Sequence, residues 1–266
     1  MRASLPSLTA LALFLLGLAS PAGADFKKGM TAYDAGDYAT ALKGWRPPAE
    51  QGNADAQYGL GLLYDGGKGT PQDHAEAARW YRKAAEQGLA SAQSNLGVLY
   101  ARGEGVKQDY AEAARWYRRA AEQEYAMAQF NLGVLYEKGQ GLKQNYADAM
   151  FWYRRAAEQG DADAQLNLGL LYAKGQGAPQ SYAKAVRWYR MAAEQGDADA
   201  QNSLGRLYAN GQGVPQDFVQ AHLWLSLAAV QGEKSALKER DLLVKKMTPA
   251  QLTEAQKLAH QWKPKN

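Results

Sequence analysis

The sequence contains no cysteine in 266 residues. That excludes disulfide stapling, cysteine-held zinc and thiol chemistry, so stability has to come from packing. Long apolar runs are scarce as well. Leu8 to Ala19 is apolar but shorter than the roughly 20 residues of a bilayer-spanning helix, and no other segment approaches that length. A surplus of one charge is also lacking, since 31 Lys and Arg stand against 27 Asp and Glu, both signs interspersed. This suits a solvated surface more than a nucleic-acid footprint, so no nucleic-acid partner is expected. Only three histidines occur, His74, His222 and His260, without the spacing of metal ligands, and neither metal nor cofactor is expected.

What is present begins with a leader-like segment. Arg2, the apolar run and the small residues Ala22-Gly23-Ala24 have the pattern of a cleaved secretory signal over residues 1–24. The expectation is an exported chain starting near Asp25, periplasmic or secreted, with no membrane span after cleavage. Removing the segment takes away only Arg2, leaving 30 basic and 27 acidic residues.

The chain then repeats itself. Trp80, Trp116, Trp152, Trp188 and Trp224 are 36 residues apart, as are Tyr64, Tyr100, Tyr136, Tyr172 and Tyr208. Five units fill residues 53–232 without gaps, a degenerate unit covers 25–52, and 233–266 reads as a C-terminal helical cap. Each unit reads as a helix A, a Gly-x-Gly turn and a helix B. In the degenerate unit, Pro47-Pro48 predicts a helix break near Arg46. Helix B starts at Asp73, Asp109, Asn145, Ser181 or Asp217, all N-cap types, and Glu76, Glu112 and Asp148 follow as in a capping box. It ends at Gly88, Gly160, Gly196 and Gly232, where a left-handed residue is wanted; Glu124 breaks that rule. The Gly-x-Gly turns join helix to helix, unlike a dinucleotide loop, which follows a strand.

The string A-x-A-Q-x-x-L-G-x-L-Y-x-x-G-x-G, followed by Y-A-x-A-x-x-W-Y-R-x-A-A-E-Q-G, resembles the Sel1-like repeat, a relative of the tetratricopeptide repeat. The resemblance implies an all-α fold, a right-handed α/α superhelix (solenoid) of two-helix repeats with a concave binding face. Independently, a two-helix unit cannot bury its own apolar side, so stacked copies must share a core.

Comparing the copies separates two faces of helix A. Ala92, Gln93, Leu96, Gly97, Leu99 and Tyr100 recur and form a packing arc. Gly97 and its counterparts give up helix propensity, which predicts close approach of a ring from helix B. The opposite side carries Val98, Val134 and Leu170, flanked by Asn95, Asn131 and Asn167, with Arg102, Lys138 and Lys174 seven residues further on. Phe130 widens the apolar edge, with Tyr58 and Leu166. These residues are expected to line a groove for an extended, acidic or C-terminal segment of another protein or peptide. The bland reading is that the amides bond within the stack and the cations answer helix dipoles. On helix B, Glu112, Arg115, Arg118, Arg119 and Glu122 read as a solvated face with intrahelical pairs.

Two Ser-x-x-Lys strings, Ser181 to Lys184 and Ser235 to Lys238, lack the Ser-Asp-Asn and Lys-Thr-Gly elements a β-lactam-reactive serine needs, and Ser181 reads as a cap. His74 stands where other copies have Tyr and reads as a packed substitute. In the tail, Leu237, Leu242 and Leu243 are available for packing, and Thr248-Pro249-Ala250-Gln251 predicts a capped helix start. The leading expectation is a non-enzymatic interaction protein. The alternatives are a cell-wall or β-lactam hydrolase and a surface protein that binds a polyanion, a glycan or a host protein.

Overall fold

The structure, a computed structural model, describes residues 21–265. The leader-like segment lies almost entirely outside the described residues. Helices follow in pairs: α1 (Pro21–Asp34) and α2 (Tyr38–Glu50), α3 (Ala54–Gly66) and α4 (His74–Glu86), α5 (Ala90–Arg102) and α6 (Tyr110–Glu122). Next come α7 (Ala126–Lys138) and α8 (Tyr146–Glu158), α9 (Ala162–Lys174) and α10 (Tyr182–Glu194), then α11 (Ala198–Asn210) and α12 (Phe218–Val230). The chain ends with α13 (Lys234–Val244) and α14 (Pro249–Gln261). Two compact units divide within α6, residues 21–120 and residues 121–265. Each is a stack of helical hairpins.

In the first unit, the helix-A glycines lie under aromatic rings. A Cβ on Gly61 would stand 2.3 Å from the Tyr81 ring, and one on Gly97 2.6 Å from Tyr117. The degenerate hairpin follows the same rule with a larger ring, since a Cβ on Gly29 would meet Trp45 at 2.5 Å. Its α2 does not break at Pro47-Pro48 but runs to Glu50. The two prolines remove donors to carbonyls one turn back, and burial of Trp45, Pro48 and Ala49 against α3 outweighs that loss.

The second unit repeats the arrangement: Gly133 meets Tyr153, Gly169 meets Tyr189, and Gly205 meets Leu225. Amides tie neighbouring hairpins together. The buried Gln165 donates through Nε2 to the Ala157 carbonyl at 3.0 Å, and its Oε1 accepts from Gln195 at 2.8 Å. Gln129 and Gln201 bond in the same way. Arginines of helix B add a second tie, Arg154 donating to the Tyr172 hydroxyl at 2.6 Å and Arg190 to that of Tyr208. At the register position of Arg118 the counterparts Arg82, Arg154 and Arg190 are exposed, as a solvated face requires, but they bond to the next repeat and not within the helix.

Helix ends follow the sequence closely. Asp73, Asp109, Asn145, Ser181 and Asp217 accept backbone N–H bonds at the starts of the B helices. The acids three residues on do not complete capping boxes. Glu76 and Glu112 pair instead with Arg79 and Arg115, and Asp148 accepts from the Asn145 amide. An arginine one turn away offers a charged partner that the cap backbone cannot match. The full box does form at Thr248 and Gln251. Of the tail leucines, Leu243 is buried while Leu237 and Leu242 face outward, because α13 presents only one stripe to α12. Trp262 reaches Trp224 edge to face, and the Lys265 N–H donates to the Glu194 carbonyl at 2.7 Å.

Gly88, Gly160, Gly196 and Gly232 adopt positive φ as expected, and Glu124 keeps that geometry at φ 62°. Left-handed backbone costs a non-glycine residue about 1 kcal/mol. The Glu124 carboxylate offsets this by accepting from Arg155 and from Gln129 Nε2. Glu124→Gly, which relieves the backbone, should therefore be about 1 kcal/mol more stable than Glu124→Ala, which keeps the strain and loses the same two bonds. Urea unfolding of the two variants measures the difference.

Candidate functional site

The face of helix A opposite the glycine arc is the candidate site. Leu96, Leu132 and Leu168 are fully buried, whereas Val98, Val134 and Leu170 are half-buried and Arg206, their counterpart on α11, is exposed. The inside and outside of helix A thus lie where the copy-to-copy comparison put them. A residue half-covered by its own hairpin keeps apolar area for contact while its backbone stays fixed by the helix.

Asn95, Val98 and Arg102 belong to α5 in the first unit. Tyr81 donates its hydroxyl to Asp65 Oδ2 at 3.3 Å and also interacts with the Asn95 side chain, so that amide serves the stack in part. Asp65 is shared with His74, whose Nδ1 lies 2.8 Å from Oδ1. His74 is therefore a polar partner of Asp65, not a packed stand-in for tyrosine. Arg102 is exposed, with Glu104 3.8 Å away.

Phe130, Asn131, Val134 and Lys138 lie on α7 in the second unit, and Asn167, Leu170 and Lys174 on α9. Phe130 stacks at 5.7 Å on Tyr153. Tyr153 donates to Glu137 Oε2 at 2.6 Å, which sets a carboxylate immediately before Lys138. On α9 the residue before Lys174 is Ala173, and Lys174 has no ion pair among the described residues.

Cationic character concentrates between α9 and α11. A cleft of about 330 Å³ there is lined by Leu170, Lys174, Tyr189, Ser203, Arg206 and Asn210, with Tyr182 at its edge. Leu170 gives an apolar wall, Lys174 and Arg206 supply positive charge, and Ser203 and Asn210 bring polar groups. Arg206 Nε sits 3.4 Å from Glu239 Oε1 and is partly neutralised. The cleft's floor is Tyr189, whose hydroxyl interacts with Ser203. Of the residues singled out from sequence, Leu170 and Lys174 meet here. Ser203 and Arg206 join them from the α11 positions that vary from copy to copy on the same outward face, Arg206 interrupting an otherwise aliphatic row. Tyr189 was not singled out for this cleft, although it recurs at a 36-residue spacing.

The serine strings do not assemble a nucleophile. Ser181 Oγ accepts from the Lys184 N–H at 3.4 Å, while Lys184 Nζ lies 5.2 Å from the Tyr172 ring centroid. Ser235 is not a cap, because Glu233 takes that role, and Ser235 Oγ accepts from Asn202 at 2.9 Å. Among the described residues no group of three or more His, Cys, Asp or Glu could hold a metal ion, and no helix is long and apolar enough to cross a membrane.

A fold built of tandem two-helix repeats, with outward residues varying on a constant frame, defines the class of α-helical repeat solenoids. The Sel1 repeat model matches residues 54–89, 90–125, 126–161, 162–197 and 198–233, and the chain belongs to the Sel1 repeat family. Among solved structures, a Sel1 repeat protein from Oxalobacter formigenes is 38% identical over 91% of this chain and 99% of its own, with a TM-score of 0.76. A protective antigen of uropathogenic Escherichia coli with an SLR fold is 36% identical over 96% of this chain, with a TM-score of 0.83. The chain spans 56% of that antigen's length. A search of the curated proteins finds no match.

Burial pushes the Tyr189 hydroxyl up to about 12, and it raises those of Tyr81, Tyr117 and Tyr153 as well. An unfolded tyrosine loses its proton near pH 10, so the burial contribution is complete below about pH 10 and declines as pH rises towards 12. Tyr189→Phe should flatten the loss of stability above about pH 10, read from urea midpoints across the alkaline range. An unchanged alkaline slope would contradict the assignment.

Proposed function

We propose that this chain is a non-enzymatic interaction protein whose second unit takes an acidic segment, or a terminal carboxylate, of another polypeptide. The convergence of Lys174 and Arg206 on an apolar-walled cleft carries the reading. Neither cation is buried: Lys174 faces water, and Arg206 keeps further N–H donors besides the one turned to Glu239. Leu170 supplies area that loses water on contact, and Ser203 and Asn210 can bond peptide groups. A rigid hairpin frame limits the ordering cost to the ligand's own chain. Membership of the Sel1 repeat family, whose repeats generally mediate protein–protein interaction, supports the same reading.

Export is part of the proposal and rests on the sequence pattern of residues 1–24. Recovery of the chain in the spheroplast fraction instead of the periplasmic extract would remove that part.

The binding reading is tested with an acetylated Leu-Glu-Leu-Glu peptide carrying a free carboxylate. Lys174→Glu with Arg206→Glu should weaken its binding by tenfold or more, about 1.4 kcal/mol, and raised salt should weaken the parent's binding. Equal affinity of parent and variant by titration calorimetry would refute the cleft as the site.

A further inference from the structure

The first hairpin carries a pocket at the equivalent place, with an acid where the second-unit cleft has a lysine. Its register follows from the ring contacts, since Gly29 under Trp45 matches Gly61 under Tyr81. Counting from that glycine, Met30 takes the position of Val98, Val134 and Leu170. Asp34 takes the position of Arg102, Lys138 and Lys174. The turn between α1 and α2 is four residues shorter than in the other hairpins.

A pocket of about 410 Å³ opens there, between α1 and α3 and above α2. Four aromatic side chains line it, Phe26, Tyr33, Trp45 and Tyr58, with Met30 and Leu62 adding apolar area. Gly59 makes room for the larger ring. Other repeats hold Asn or Ser at this position, and a Cβ here would stand 2.6 Å from Trp45. Asp34 and Asp55 complete the lining, both exposed and neither in an ion pair among the described residues. Asp55 is in the first turn of α3, where the helix dipole favours a carboxylate. Asp34 is the last residue of α1, where the dipole opposes one. Its place at the pocket therefore has no local helical reason.

Aromatic faces beside carboxylates select organic cations, through ring quadrupoles and direct charge. The chain already uses this chemistry at the pocket's flank. Lys68 Nζ lies 5.4 Å from the Tyr33 ring centroid and 5.0 Å from that of Tyr38, and the two phenols raise its pKa. We infer that the N-terminal pocket is a second binding site, for a basic polypeptide segment that inserts an arginine or lysine side chain beside an apolar one. The aliphatic stem would cover Met30 and Leu62 and the cationic head would meet Asp34 and Asp55. This site is separate from the cationic cleft of the second unit and takes the opposite charge.

Amide NMR titration of the purified protein tests it with acetyl-Leu-Arg-Leu-amide, acetyl-Leu-Glu-Leu-amide and choline. The arginine peptide should shift the amides of Gly59 and Leu62, and the glutamate peptide should not. Asp34→Asn with Asp55→Asn, both at exposed positions, should weaken the arginine peptide at least tenfold with an unchanged thermal midpoint. Lys174→Glu should leave that affinity unaltered, so failure of the second-unit cleft would not touch this result. Equal shifts with the two peptides, an unaffected Asn variant, or choline binding as tightly as the arginine peptide would each overturn the proposal.

Discussion

One contact recurs through both units and governs what the other residues can do: a helix-A glycine lying against a ring of helix B. Tyr81, Tyr117, Tyr153 and Tyr189 occupy space that a Cβ on Gly61, Gly97, Gly133 or Gly169 would fill. A helix gives up about 1 kcal/mol of propensity at each such glycine. The return is a flat ring buried against bare backbone, with dense packing over its whole face. Because the contact fixes how each hairpin closes, it also fixes which residues of helix A point away.

Neighbouring hairpins are then joined by polar groups that cannot slip. A buried glutamine amide satisfies a helix-end carbonyl of the preceding repeat and accepts from a glutamine thirty residues on, as Gln165 does between Ala157 and Gln195. Such amides are costly when unpaired, so they select one register over near neighbours. Arg154 and Arg190 reinforce that register from the surface. The outward positions are less constrained, and Met30, Leu62, Val134, Leu170 and Arg206 vary there on a common backbone. Two differently charged pockets can arise at equivalent positions without altering the fold.

Much of this was legible because five copies of one unit act as controls for each other. The repeat length, the caps at Asp73 and Asn145, the left-handed glycines Gly88 and Gly160 and the two faces of helix A all follow from comparing copies. What stayed hidden depends on contacts that the spacing does not encode. The spacing does not show that Tyr153 donates to Glu137. Pro47 and Pro48 read as breakers because the burial of Trp45, Pro48 and Ala49 that holds this turn is a tertiary effect. The inverted charge of the first hairpin escaped because a shorter turn removes Asp34 from the 36-residue frame, and only the Gly29–Trp45 contact restores it.

Urea unfolding of Gly169→Ala beside Gly66→Ala tests the ring contact most directly. Gly66 is exposed, in the last turn of α3, and a Cβ there would meet only the flexible Lys68 side chain at 3.5 Å. Helix propensity alone makes both substitutions stabilising, by up to about 1 kcal/mol. The packing account predicts opposite signs: Gly66→Ala gains stability, and Gly169→Ala loses about 1–3 kcal/mol by forcing a methyl against Tyr189. A stabilised Gly169→Ala would contradict it.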